Sequence, residues 1–144
     1  MPLEFDRAGL RFDYPENWQI DDSDILAGRK SVTVYSPSGA FWSVAIHPRG
    51  TDAASLIEGV VRTMRAEYPS ADFEPVSEIL DGKQLAGYDI TFFYLDFLNA
   101  AQIRAFETPW ATYTFFCQGE DRDFDSALPV FKAMTISLLR RLKG

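Results

Sequence analysis

The chain has 144 residues, of which 47% are hydrophobic, 15% aromatic and 24% charged, and 21 acidic side chains against 14 basic ones leave a formal net charge of −7. A chain of this length and composition can bury a core of its own, so we expect one domain over residues 1–144. The composition excludes a disordered chain and a disulfide scaffold, and the negative charge argues against a nucleic-acid partner.

The N-terminal segment MPLEFDRAGLRF carries acids at Glu4 and Asp6, where a secretory signal would have basic residues followed by about 7–15 apolar ones. No window of the sequence approaches the roughly 20 apolar residues of a membrane span. We therefore expect a cytoplasmic protein with no membrane partner. The single cysteine, Cys117, follows an apolar run, which predicts a buried thiol with a raised pKa rather than an activated nucleophile.

Three strands are predicted at the start of the chain. Short β-rich runs place them at Gly9–Tyr14, Ser31–Ser36 and Ala40–Pro48. Ser36-Pro37-Ser38-Gly39 has the chemistry of a tight turn, because proline presets φ and glycine tolerates a positive φ. We therefore expect the second and third strands to form a hairpin.

A helix is predicted from Asp52 to Tyr68, where apolar side chains recur every three or four residues. Thr51 or Asp52 can cap its N-terminus, and Pro69 ends it. The apolar positions of this helix are Ile57, Val60, Val61, Met64 and Tyr68.

Four more strands follow this helix. Glu74–Leu80 and Lys83–Tyr94 flank Asp81-Gly82, a dipeptide that strongly favours a two-residue hairpin turn. After a connection over Asp96–Asn99, two further strands are joined across Thr108-Pro109-Trp110-Ala111. The sequence places these two strands at Ala100–Glu107 and Thr112–Gln118.

A second helix is predicted from Phe124 to Leu142. Its apolar stripe is Phe124, Leu128, Phe131, Thr135, Leu138 and Leu142. Acids near its start and basic residues near its end suit the helix dipole. These charged residues are Asp121, Asp123, Asp125, Arg140, Arg141 and Lys143.

The element order predicts an α+β fold in which an antiparallel β-sheet of about six to seven strands is flanked by two helices, as an αβα sandwich. Several strands do not alternate between apolar and polar residues, as in Phe41–Ile46, Phe92–Leu95 and Phe115–Cys117. Large side chains must therefore occupy both sheet faces. Either one helix covers each face, or a partner subunit covers one of them.

The segment Phe12-Asp13-Tyr14-Pro15-Glu16-Asn17-Trp18 has the form F-x-Y-P-x-x-W. It is similar to the opening of the PsbP-like superfamily, which includes extrinsic photosystem II proteins, a Ran-release factor and bacterial DcrB-like proteins. Members begin with a strand and this motif and end in a long helix packed on an antiparallel sheet. The resemblance implies a binding or assembly role and transfers no catalytic residue. The chain shows no evident basic docking patch, so neither a photosynthetic nor a Ran-related role is expected.

The sequence contains little that indicates catalysis. His47, the only histidine, ends a strand and could act as a base, but no G-x-S-x-G or other flanked nucleophile accompanies it. The acidic runs Asp21–Asp24 and Glu120–Asp123 do not match a calcium loop, and one histidine with one cysteine cannot complete a zinc site. There is no glycine-rich nucleotide motif, so we predict no metal and no cofactor.

The aromatic segment from Tyr88 to Trp110 carries the strongest functional indication. Tyr94, Phe97, Phe106 and Trp110 lie on or beside adjacent predicted strands, with Phe97 and Trp110 in connections. If exposed, they would form an apolar surface for a protein partner or for a homodimer. We expect a non-enzymatic binding or assembly module. The alternative is a small-molecule carrier or hydrolase with a pocket near His47 and Trp42.

Overall fold

A computed structural model describes residues 1–142 of the chain. The elements of this part of the chain are β1 (Pro2–Arg7), β2 (Leu10–Pro15), β3 (Gln19–Asp21), α1 (Ser23–Leu26), β4 (Ser31–Tyr35), β5 (Phe41–Pro48), α2 (Ala53–Glu67), β6 (Asp72–Leu80), β7 (Lys83–Tyr94), β8 (Phe97–Glu107), β9 (Ala111–Glu120) and α3 (Asp121–Arg140). The two predicted helices are present as α2 and α3. Lys143, expected beside the end of the last helix, lies outside the described residues.

Seven strands form one sheet in the order β3-β4-β5-β9-β8-β7-β6, and β1 and β2 form a separate pair. Every neighbouring pair is antiparallel. The predicted α+β class and antiparallel sheet are confirmed. Three short elements escaped prediction, namely β1, β3 and α1. β3 and α1 are only 3 and 4 residues long, and β1 buries only Phe5, so none of them gives a sustained apolar pattern.

The hairpin turns follow the local sequence as predicted. Between β4 and β5, the Gly39 N–H donates to the Ser36 carbonyl at 3.0 Å, and Gly39 has a φ of 97°. Between β6 and β7, Asp81 and Gly82 both have positive φ, as a type I′ turn requires. These turns fix the strand register on either side of them.

The two long helices cover opposite faces of the sheet. Because side chains alternate along a strand, neighbouring residues of β8 face different helices. Ile103 packs with Ile57 and Val61 of α2, whereas Phe106 packs in the core that contains Phe131 of α3. The fold is therefore the predicted αβα arrangement, with a separate hydrophobic core on each side of the sheet.

The F-x-Y-P-x-x-W segment attaches the β1–β2 pair to α3. Phe12 is fully buried, with its ring 4.9 Å from that of Trp42. The chain turns after Pro15, whose carbonyl accepts a hydrogen bond from the Trp18 N–H at 3.1 Å. The Trp18 ring then meets the Phe131 ring edge-on at 5.7 Å. The motif is thus a structural corner between β2 and the last helix.

Arg104 is a buried charge on the α3 side of the sheet. Its guanidinium donates to Glu78 at 2.7 Å and to Asp89 at 2.6 Å, joining β6, β7 and β8. Gly87, its partner in β7, allows the strands to approach, because a Cβ there would lie 1.7 Å from the Ile103 carbonyl oxygen. The close approach of β7 and β8 and the ion pairs of Arg104 therefore occur at the same point of the sheet.

Candidate functional site

The tip of the β7–β8 hairpin exposes five large hydrophobic side chains. They are 37% to 72% exposed, Leu98 least and Leu95 most. Monomeric proteins seldom expose so many apolar side chains together, and such patches mark interaction sites. We refer to these residues, which are Phe93, Tyr94, Leu95, Phe97 and Leu98, as the hairpin tip.

The hairpin tip is apolar on both faces of the sheet. Tyr94 pairs with Phe97 and Phe93 pairs with Leu98, so each face carries one cross-strand pair. Tyr94 is held by the end of α2, since its ring lies edge-on to Tyr68 at 6.3 Å. The hairpin tip is therefore supported by strand pairing and by the contact between Tyr94 and Tyr68.

The turn of this hairpin has an unusual sequence for its backbone. Its two central residues, Leu95 and Asp96, have φ values of 51° and 65°. Glycine and asparagine tolerate this left-handed region, whereas a bulky residue there costs roughly 1–2 kcal/mol. Leu95 is thus placed in the turn of the hairpin at a cost in stability, and strain of this kind is concentrated at functional sites.

The structure brings together two of the four aromatic residues predicted as a partner surface. Tyr94 and Phe97 are neighbours at the hairpin tip. Phe106 is only 8% exposed and stacks on Tyr113 at 5.4 Å, so it belongs to the core. Trp110 is 68% exposed but follows the opposite end of β8, about 34 Å away at the usual rise per residue. The expected single surface around Phe97 and Trp110 is therefore not formed.

The predicted pocket near Trp42 and His47 is not formed either. These residues are five apart on β5, so their side chains point to opposite faces. Trp42 is 1% exposed, and its indole N–H donates to the Thr135 hydroxyl of α3 at 2.9 Å. On the other face, His47 shares a 2.9 Å hydrogen bond with the Thr114 hydroxyl, and partial burial lowers its pKa.

Cys117 is buried, and burial raises the pKa of its thiol to about 12, which confirms the prediction of an unactivated cysteine. Within residues 1–142, no three His, Cys, Asp or Glu side chains are grouped so as to hold a metal ion. No helix in the same part of the chain is long and apolar enough to cross a bilayer.

An open groove of about 490 Å³, which no sequence pattern predicts, lies between the end of β2 and α3. It is within the size range of small-molecule sites and has a mainly apolar lining. Asp13 at its edge is held by the Arg141 guanidinium at 3.0 Å. Residues of the F-x-Y-P-x-x-W motif form one wall of the groove. Residues of α3 form the other wall, and the local sequence does not show that α3 packs there. The groove is lined by Met1, Pro2, Asp13, Tyr14, Pro15, Glu16, Asn17, Val130, Ala133, Met134 and Ser137.

No protein-family model and no curated protein matches the chain. Among solved structures, a Pseudomonas aeruginosa protein of unknown function is similar with a TM-score of 0.60 and 13% identity over 99% of each chain. The cyanobacterial PsbP protein CyanoP of Synechocystis has a TM-score of 0.61 and 15% identity, over 95% of this chain and 89% of that one. A Bacteroides thetaiotaomicron structure also has a TM-score of 0.61, at 13% identity, over 93% of this chain and 46% of the other. The chain therefore has the PsbP-like fold that its motif indicated.

Proposed function

We propose that the chain is a non-enzymatic protein-binding module whose contact surface is the hairpin tip. The observation that carries this proposal is the display of five apolar side chains around a turn whose sequence does not suit its backbone. Aromatic residues dominate the energetics of protein interfaces, and three of the five tip residues are aromatic. A partner that covered the tip would remove these side chains from water.

A position-specific photo-crosslink tests the proposal in cells of the source organism. Benzoylphenylalanine in place of Leu95 should give a crosslinked adduct. The same group in place of Ile79 is the matched control, because Ile79 is 71% exposed on the edge strand β6 and lies outside the tip. We expect an adduct from position 95 and none from position 79.

A second substitution makes the crosslinking test specific for the tip. Phe97→Ser should weaken the adduct from position 95, because it removes the aromatic partner of Tyr94 without touching a core residue. An adduct of twice the chain mass would identify a second copy, and any other mass a different protein. Equal adducts from positions 95 and 79, or none from position 95, would contradict the proposal.

The groove between β2 and α3 supports a second candidate, a small-molecule carrier. Its volume of about 490 Å³ would accommodate a compact apolar ligand. A metabolite screen by thermal shift should then give a stabilising compound whose effect is lost in Ala133→Trp, which fills the groove. A screen without such a compound would leave protein binding as the only supported function.

A further inference from the structure

We infer that the partner of the hairpin tip is a protein segment that combines apolar anchors with arginine or lysine side chains. This inference rests on the proposed function and adds the charge of the partner to it. It depends on three acidic residues, Glu67, Asp72 and Asp96, that surround the hairpin tip and that we call the acidic rim.

Each member of the acidic rim has a defined position beside the apolar side chains. Asp96 is the second residue of the turn itself. Asp72 pairs with Thr91, two residues before Phe93 in β7, so its side chain and that of Phe93 lie on the same sheet face.

Glu67 ends α2 immediately before Tyr68. The Tyr68 ring lies 4.2 Å from Phe92 and meets the ring of Tyr94. Glu67 is close enough for its charge to contribute, after burial, to the raised pKa of Tyr68. All three residues of the acidic rim therefore lie beside the tip in the sequence, across a strand pair or next to a residue that contacts it.

The acidic rim has no salt-bridge partner in the part of the chain that the structure describes. In residues 1–142, no basic nitrogen lies within salt-bridge distance of any of its three carboxylates. The neighbouring Arg65 places its guanidinium over the Phe73 ring, 4.7 Å from the ring centroid. The three carboxylates are therefore available to basic groups of a binding partner.

Further acids lie at the same end of the sheet. Glu120 closes β9 opposite Asn99, only two residues along β8 from Phe97. The helix α3 begins there with Asp121, Arg122 and Asp123, so the run Glu120–Asp123 adds three acids and one base. These acids suit the helix N-terminus and also extend the negative potential around the tip.

This charge distribution favours one class of partner over two others. Two copies meeting tip to tip would bring like-charged rims together, and an anionic bilayer would be repelled in the same way. A basic protein segment is attracted to the rim, and its guanidinium groups can stack on the aromatic faces of the tip while they pair with carboxylates. Apolar residues between the basic ones would contact Leu95 and Leu98.

Selection of phage-displayed random dodecapeptides on the full chain tests the inference. Tip-dependent peptides are those retained by the wild type and lost on Tyr94→Ser/Phe97→Ser. We expect arginine and lysine to be enriched roughly twofold or more in these peptides, together with apolar residues. In Glu67→Gln/Asp72→Asn/Asp96→Asn, which keeps the apolar tip, their affinity should fall roughly tenfold at low salt and less at physiological salt.

The outcomes separate this inference from the function on which it rests. Tip-dependent peptides without an excess of basic residues would overturn the inference and leave the proposed function standing. A selection with no tip-dependent peptide would contradict the proposed function itself. Tip-dependent sedimentation with vesicles of phosphatidylcholine and phosphatidylglycerol would overturn the assignment of a protein segment in favour of a lipid surface.

Discussion

Leu95 occupies a backbone conformation that favours glycine or asparagine, and this mismatch can be tested directly. Leu95→Asn/Asp96→Gly gives the turn an Asn-Gly sequence, which is preferred in two-residue hairpins. We expect the free energy of unfolding to rise by about 1 kcal/mol and Tm by about 2–4 °C, measured by thermal denaturation. Binding of tip-dependent peptides should fall in the same variant, because Leu95 no longer contacts the partner.

The turn at Asp81-Gly82 supplies the control for this experiment. It also has positive φ at both central residues, but it lies at the opposite end of β7. Asp81→Asn should leave peptide binding unchanged. If the Leu95 double variant were less stable than the wild type, the idea that stability is sacrificed at this turn would be wrong.

The buried guanidinium of Arg104 connects β8 to β6 and β7, and its contribution to the free energy of unfolding can be measured. Arg104→Met should lower the free energy of unfolding by roughly 3 kcal/mol, because Glu78 and Asp89 would lose their shared cation. Urea denaturation measures the change. Arg140→Met is the control, since Arg140 forms an exposed pair with Asp81 at 3.2 Å and should cost less than about 1 kcal/mol. Equal losses in the two variants would contradict the importance of burial.

Among the secondary-structure elements, those with a local sequence signal could be predicted. Asp81-Gly82 and the apolar spacing of α2 identify a hairpin and a helix without reference to the rest of the chain. The beginning of β8 could not be found in this way. The local sequence predicts a connection at Phe97 and Leu98, whereas cross-strand pairing with Tyr94 and Phe93 makes them part of a strand. Pairing across strands is a tertiary property that local composition does not contain.

Only part of the candidate site can be predicted from the sequence. The sequence identifies Phe97 because its predicted place in a connection favours exposure, and Tyr94 because it lies beside that connection. Phe106 has the same chemistry but faces α3, and no alternation pattern shows this when both sheet faces are apolar. The groove beside α3 was missed for a related reason, since its two walls are more than 100 residues apart in the sequence.

The N-terminus of α2 depends on a side chain from another element. Asp52 occupies the N-cap position but does not cap the helix with its side chain, and the Ala53 N–H instead donates to the Glu107 carboxylate at 3.1 Å. Glu107→Ala should therefore cost about 1 kcal/mol and speed hydrogen exchange in the first turn of α2. Glu58→Ala, an exposed change within the same helix, should do neither. Unchanged exchange in Glu107→Ala would exclude this capping role.

For the molecule as a whole, the pH dependence of stability near neutrality should depend on its only histidine. Partial burial lowers the pKa of folded His47 below its ordinary value of 6.5, so the unfolded chain binds the proton more readily. The contribution of His47 to stability is therefore fully present above 6.5 and is lost as the pH falls through 6.5 towards the folded pKa. Urea midpoints between about pH 7.5 and 5.5 should decline in the wild type and stay flatter in His47→Gln. The same slope in both proteins would contradict this account.

The three tryptophans sample three environments along the molecule, which gives the protein a built-in set of optical reporters. Trp42 is enclosed between the sheet and α3, Trp18 is half-buried at the corner after β2, and Trp110 stands in solvent. The fluorescence of Trp110 is the most open to collision with an aqueous quencher such as iodide, that of Trp18 is partly open, and that of Trp42 is shielded. Because Trp110 lies far from Leu95, occupation of the hairpin tip should leave that quenchable emission in place, whereas self-association through the Trp110 end would shield it.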